Sequence, residues 1–168
     1  MRRLLLLRHA KSSWSDPTAR DHERPLNDRG RRAAPLVGDY LRREDLVPDL
    51  VLCSSARRTC ETLARLELPD TTAIVVDRDL YLAHPETVID LVRGAADSVA
   101  NLMVVGHNPT THELALDLAG GGDPDALVAM GQKFPTAALA VLTVDGSWAS
   151  LDHGTATLDR FVTPHDLE

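Results

Sequence analysis

Leu4-Leu5-Leu6-Leu7-Arg8-His9-Ala10 is the stretch from which the fold can be read. Four leucines in succession form a short, unbroken apolar run, the pattern of a strand buried on both faces in the middle of a parallel sheet. The interior of such a sheet does not accept a bare charge, so Arg8 and His9 must lie where the strand ends. In open α/β sheets the carboxyl ends of the strands are where ligands bind. A guanidinium and an imidazole delivered together to that edge suit an anion. Taken alone, the Arg-His pair fits a strand simply leaving the core equally well.

The rest of the chain supplies the alternation that such a sheet requires. Asp49-Leu50-Val51-Leu52-Cys53, Ala73-Ile74-Val75-Val76 and Leu102-Met103-Val104-Val105 are three further short apolar runs. Between them lie segments of helical period. Asn27 is a natural N-cap with Asp28 in the first turn; the helix it opens runs to about Arg43, and Pro35 within it predicts a kink or a restart. Ser54 or Ser55 is the expected cap of the next helix. Further helices are predicted over residues 85–96, opened by Pro85, and 110–119, closed by Gly120-Gly121-Gly122. Residues 138–144 and 148–151 read as a hairpin turned at Asp145-Gly146, and residues 162–168 as an exposed, peripheral tail. The prediction is one α/β domain over residues 1–168: a three-layer α/β/α sandwich whose sheet is mostly parallel with a late antiparallel strand.

Composition narrows the function classes. A formal net charge of −7 over 168 residues argues against a nucleic-acid binder, which needs a basic face, without forbidding a small local basic pocket. Two cysteines, Cys53 and Cys60, are too few for a disulfide framework or a four-thiolate zinc site, and read as small buried residues of a reducing compartment. No apolar run approaches membrane-spanning length, and the N-terminal leucines are too few for a signal peptide. The expectation is a cytoplasmic protein without nucleic-acid or membrane partners.

Three strands end in a polar signature: Arg8-His9, then Ser54-Ser55-Ala56-Arg57-Arg58, then Gly106-His107. If those strands are parallel, all three reach one edge. Arginines in the first turn of a helix oppose its dipole, a cost that a nearby anion offsets. Histidines and arginines without a carboxylate cluster do not suit a divalent metal, so none is expected, and no organic cofactor either. A phosphoryl group fits better. Arginine forks onto its oxygens, and a neutral imidazole nitrogen can attack phosphorus and carry the group covalently. Asp21 in the first long loop and Glu86 in the first turn of the helix opened by Pro85 are acidic residues without an assigned partner, and Arg24 is a further loop cation that either reaches the phosphate or is merely solvated.

Leu7-Arg8-His9, the run Ser54-Ser55-Ala56-Arg57-Arg58-Thr59-Cys60-Glu61-Thr62, and Gly106-His107-Asn108-Pro109 together resemble the histidine phosphatase superfamily, the phosphoglycerate mutase-like proteins. The chain is most similar to the short SixA-like phosphohistidine phosphatase branch, which Arg24-Pro25-Leu26-Asn27-Asp28-Arg29-Gly30 and Pro135-Thr136-Ala137-Ala138 also match. The resemblance implies that His9 is the nucleophile that becomes phosphohistidine. It implies that Arg8 and Arg58 bind the phosphoryl group, with Thr62 fixing the register to Arg58 rather than Arg57, and that His107 is the second pocket histidine. Ala10 replaces the glycine common in relatives, a small change. The proton donor is not fixed by the motifs: larger relatives use a glutamate after the third strand, which leaves Glu86 and Asp21 as candidates. The substrate is then a phosphorylated protein or a small phosphoester. The alternatives are a mutase, disfavoured by the short stretch available for a lid, and a non-catalytic phosphate-recognition module.

Overall fold

The computed structural model describes residues 1–168. Strands β1 (Arg2–Arg8), β2 (Leu50–Ser54), β3 (Ala73–Asp77), β4 (Asn101–Gly106), β5 (Ala119–Gly122), β6 (Leu139–Val144) and β7 (Ala156–Val162) form one sheet in the order β3-β2-β4-β1-β6-β7-β5. β1 pairs in parallel with β4, β4 with β2, and β2 with β3. β6 runs antiparallel to both β1 and β7, and β7 is parallel to β5. β6 is thus the single reversed strand.

The four leucines lie at the centre, and all are essentially inaccessible. Their side chains alternate between faces. Leu4 and Leu6 join a core with Val88, Ile89 and Val92 of α3 (Pro85–Arg93), Leu114 and Leu118 of α4 (Thr110–Leu118) and Met130 of α5 (Pro124–Gln132). Leu5 and Leu7 join a second core with Ala34, Val37 and Leu41 of α1 (Asp28–Arg43) and Leu63 of α2 (Arg57–Arg65). Two helical layers therefore enclose the sheet, as a strand apolar on both faces requires.

Asn27 caps α1 as expected, accepting the Gly30 N–H at 2.9 Å, but α1 continues through Pro35 as one helix. Other local expectations fail for identifiable reasons. Gly120-Gly121-Gly122 does not merely stop α4. It forms the edge strand β5, and a methyl at Gly120 would lie 2.1 Å from the Gly154 carbonyl oxygen, so close backbone approach requires glycine there. The α5 helix that follows, capped by Asp123, has no counterpart among the helices expected from the sequence. Gly146 does turn the chain, with φ 87°, but residues 148–150 are a 3-10 turn rather than a strand. Trp148 is fully buried there and its indole N–H donates to the Val99 carbonyl at 2.9 Å; the partner of β6 is β7 instead. The C-terminal residues are also more ordered than expected. β7 extends to Val162, and α6 (Pro164–Leu167), closed by a Thr163–Asp166 capping box, brings Leu167 against the core beneath α1. No helix is long and apolar enough to cross a membrane.

Candidate active site

β1, β4 and β2 are adjacent and parallel, so their carboxyl ends deliver Arg8-His9, Gly106-His107 and the Ser54 turn into α2 to one edge. The loop carrying His9 is fixed on several sides. The His9 N–H donates to the Gly106 carbonyl at 3.1 Å. The Ala10 N–H donates to Thr62 Oγ1 at 2.9 Å, and that hydroxyl donates to the Arg58 carbonyl at 2.7 Å. Ala137, held at φ 59°, directs its N–H at the carbonyls of Arg8 and His9. A left-handed alanine is uncommon and strained, and here it lets the Pro135–Ala138 turn clamp the peptide of the candidate nucleophile.

His9 is 7% exposed. Its Nδ1 lies 2.7 Å from the Ala10 carbonyl oxygen. A carbonyl can only accept, so Nδ1 carries the hydrogen and Nε2 of the neutral ring keeps its lone pair. Burial pushes the His9 pKa down to about 3, opposed by the Ala10 bond and reinforced by His107, Arg58 and Arg8. The His107 ring centroid lies 5.4 Å away. Burial, and after it Arg58, lowers the His107 pKa to about 4. His107 Nε2 shares a 2.7 Å hydrogen bond with Ser54 Oγ, while its Nδ1 is buried without a partner. Both imidazoles are therefore neutral at physiological pH.

Two guanidiniums face this pair. Arg8 Nη1 donates to the Phe134 carbonyl at 3.1 Å, and its buried Nε has no partner. Burial and Arg58 lower its pKa. Arg58 is 7% exposed. Its neighbour Arg57 points outward, its Nε 3.1 Å from Glu61 Oε1. Neither Ser54 nor Ser55 caps α2: the N-cap is Ala56, with no side-chain bond. Ser54 is committed to His107, and Ser55 Oγ lies 2.8 Å from His22 Nε2. The uncapped first turn of α2 thus leaves N–H groups open toward an anion.

The remaining candidates, Asp21, Arg24 and Glu86, separate. Asp21 reaches the site. Arg58 donates to its carbonyl at 2.7 Å and to Oδ2 at 3.1 Å, Arg24 donates to Oδ1 at 3.0 Å, and the Tyr81 hydroxyl donates to Oδ2. The Tyr81 bond, followed by those of Arg24 and Arg58, holds the Asp21 carboxyl well below the usual range. Arg24 is buried rather than solvated. Its donors are committed to Asp21, the Ser13 carbonyl and Ser12 Oγ, and its guanidinium lies 3.2 Å from the centroid of the exposed Trp14 ring. It orders the loop rather than extending toward a phosphate. Glu86 does not join the cluster. It is exposed on α3, 3.2 Å from Nε2 of His153, which also contacts Asp117. The sequence does not single out Tyr81, and it marks Ser54 only as a cap candidate and motif member and Asn108 only as part of the Gly106–Pro109 motif; their contacts at the site depend on loops that meet only in the fold.

Asp21, Arg58, Tyr81, His107 and Asn108 line a cleft of about 420 Å³ with an apolar side formed by Leu80, Leu82 and Pro109 among others. Of the two imidazoles and two guanidiniums, His107 and Arg58 line the cleft and Arg8 and His9 lie behind them; neutral imidazoles beside guanidiniums are groups that can bind a tetrahedral anion and attack it.

The model of the histidine phosphatase superfamily (branch 1) matches residues 4–81. An uncharacterised protein of Mycobacterium tuberculosis is 46% identical over 160 residues, covering 94% of this chain and 99% of the relative. A structure assigned as phosphohistidine phosphatase SixA from Agrobacterium tumefaciens aligns at TM-score 0.81 and 33% identity, covering 97% of this chain and 98% of its own. Its counterpart from Nakamurella multipartitia aligns at TM-score 0.84 and 29% identity, covering 97% and 96%.

Proposed function

The chain belongs to the histidine phosphatase superfamily, in its SixA-like branch, and from that premise we propose that it hydrolyses phosphohistidine on a protein through a covalent intermediate on His9. The observation that carries the proposal is the Nδ1–H donation from His9 to the Ala10 carbonyl. It fixes the tautomer with Nε2 unprotonated, and the depressed pKa keeps it so.

In the first step Nε2 attacks phosphorus as the bond from phosphorus to the leaving group breaks. Arg8 and Arg58 take up the charge on the phosphoryl oxygens, and His107 adds a hydrogen bond. Such transfer is mostly positioning and charge neutralisation. In the second step water attacks phosphorus, the Nε2–P electron pair returns to nitrogen, and both water hydrogens leave with the phosphate. Nδ1–H stays on the Ala10 carbonyl throughout.

The leaving group decides between substrate classes. The only carboxyl group beside the arginines is Asp21, and its bonds keep it ionised, so the resting site offers no strong general acid. An alcohol would leave a phosphoester as an alkoxide unless protonated. A substrate imidazole titrates near neutral pH, takes its proton from water on the other ring nitrogen, and departs neutral. The acid-poor site therefore favours phosphohistidine over alkyl esters.

The test is a chemically phosphorylated histidine peptide, assayed with wild type and His9→Ala. Wild type should release phosphate and form an acid-labile phosphoenzyme, and His9→Ala should do neither. Full turnover by His9→Ala would remove the assignment.

A further inference from the structure

A second cavity, of about 520 Å³, opens at the same edge of the sheet, on the other side of Arg8-His9 from the cleft. It lies between the loop after β1, the start of α1, the loop after α5, and α6. The placement follows from register. β6 begins at Leu139 beside Leu7, and β7 ends at Val162 beside Leu139, so α6 emerges where β1 ends. Lys11 is two residues beyond His9, and the loop that forms one wall continues into Ala137, whose N–H holds the His9 carbonyl at 3.0 Å.

The cavity is cationic in a chain of net charge −7. Lys11, Arg29, Arg32 and Lys133 line it with His165, and Glu168 is its single acidic side chain, 4.0 Å from His165. The four long cations have no side-chain hydrogen bond and no carboxylate within ion-pair distance. Elsewhere pairing is common: Arg42 meets Asp39, Arg93 meets Asp90, and Arg160 meets Glu44. Even Arg31, between the two free arginines of α1, is paired with Asp28. Arg29 also stands in the first turn of α1, the end that disfavours cations, with Arg32 just beyond it. Unpaired like charges gathered against a helix dipole are an unfavourable arrangement that an anionic ligand relieves.

We propose that this cavity is a docking subsite for an acidic segment of the phosphorylated protein that delivers its phosphoryl group to His9. The inference rests on the phosphatase reading and adds to it what surrounds the target histidine. The form of the site favours a protein segment over a small anion. Lys11, Arg29 and Lys133 are exposed side chains ringed around a broad basin, rather than a buried fork closing on one group. Several carboxylates spaced along a chain satisfy such a ring, and their field guides the substrate to the edge where His9 waits.

The experiment compares wild type with Arg29→Glu/Arg32→Glu on two phosphohistidine peptides, one flanked by glutamates and one by glutamines, with p-nitrophenyl phosphate as a control. Glutamate suits the amino end of α1, and folding is checked by circular dichroism. Wild type should prefer the glutamate peptide in kcat/KM by about tenfold at low salt, the scale of a few exposed ion pairs. The preference should shrink with added sodium chloride and vanish in the variant, with p-nitrophenyl phosphate turnover unchanged. Equal rates on the two peptides, or a preference that survives in the variant, would overturn the proposal. So would a charge-dependent preference confined to a small carboxylated phosphate monoester. If no substrate at all is turned over, the phosphatase reading has failed. The subsite is then judged by fluorescence anisotropy with the unphosphorylated glutamate peptide: tighter binding to wild type than to the variant supports it, and equal binding refutes it.

Discussion

Arg58 donates to Asp21 twice, to its backbone carbonyl at 2.7 Å and to its carboxylate at 3.1 Å. The guanidinium best placed for a phosphoryl group is thus already neutralised by an internal anion. The same carboxylate also accepts from Tyr81 and Arg24, which binds the Asp21 loop across the mouth of the cleft. Asp21 in this arrangement is an acceptor that positions Arg58 and occupies the place an incoming anion must share.

The first prediction concerns that carboxylate. Asp21→Asn keeps the shape and removes the charge. If Asp21 only positions Arg58, kcat/KM should change by less than about tenfold and by the same factor for p-nitrophenyl phosphate and for an alkyl phosphate. If Asp21 is the general acid, the alkyl substrate should lose far more, on the 10²–10⁴ scale of lost proton transfer, because its leaving group alone needs the proton. The ratio of the two kcat/KM losses is the measurement, and the ionised state of Asp21 predicts a ratio near one.

The second prediction separates two neighbours on α2. Arg58 is 7% exposed and faces the histidines, whereas Arg57 faces Glu61 and solvent. Adjacent helical side chains diverge by about 100°, so they cannot share a small pocket. Arg58→Ala should reduce kcat/KM by about 10²–10³, the usual loss for a charged transition-state donor. Arg58→Lys should recover little, since an ammonium cannot fork onto two oxygens. Arg57→Ala loses an exposed i,i+4 pair, worth about 0.3–0.5 kcal/mol of stability, and should leave the rate unchanged. A crippled Arg57→Ala beside a near-normal Arg58→Ala would place the phosphate on the other face of α2.

Strands β1, β2, β4 and β6 were legible because a buried strand has a simple signature, whereas β5 and β7 were not. The leucine run, and the ends of β1, β2 and β4, follow from the incompatibility of charge with a sheet interior, and parallel pairing then brings the three polar ends together. What the sequence does not disclose depends on contacts between distant segments. Trp148 plugs the core rather than extending a hairpin because Val99 offers it a carbonyl. Gly120 sits in a strand because the Gly154 backbone crosses it. Neither partner is visible in local sequence. The same holds at the site, where the burial of Arg24 depends on Ser12, Ser13, Trp14 and Asp21 folding over it. Glu86 suited the motif by position along the chain, but the first turn of α3 turns it toward His153.

The third prediction concerns metals. Arg8 and Arg58 give the pocket positive charge, and its one carboxylate is already committed to three donors. A divalent cation there would face two guanidiniums without a free anionic ligand, since hard cations require oxygen ligands. Dialysis against a chelator should therefore leave kcat/KM on p-nitrophenyl phosphate unchanged. Loss of activity that magnesium, manganese or zinc restores would contradict the charge argument.

The last prediction follows from the two depressed histidines. An unfolded histidine titrates near 6.5, but His9 is lowered to about 3 and His107 to about 4 in the fold. Between those values the unfolded chain binds more protons than the native one, so stability rises with pH across that window and falls as pH drops below about 6.5. Both histidines act in the same direction. The melting temperature of wild type should decline between pH 6.5 and 4, and His107→Asn, which removes one of the two groups, should decline less steeply after allowance for its own starting stability. Catalysis should be more tolerant of acid than the fold is. His9 stays unprotonated down to about its own pKa, so no loss of kcat assignable to the nucleophile should appear between pH 7 and 5, once the ionisation of the substrate is accounted for. A kcat limb near pH 6.5 that moves with substitutions around His9 would mean that the imidazole titrates as it does in water, and that burial does not hold it neutral.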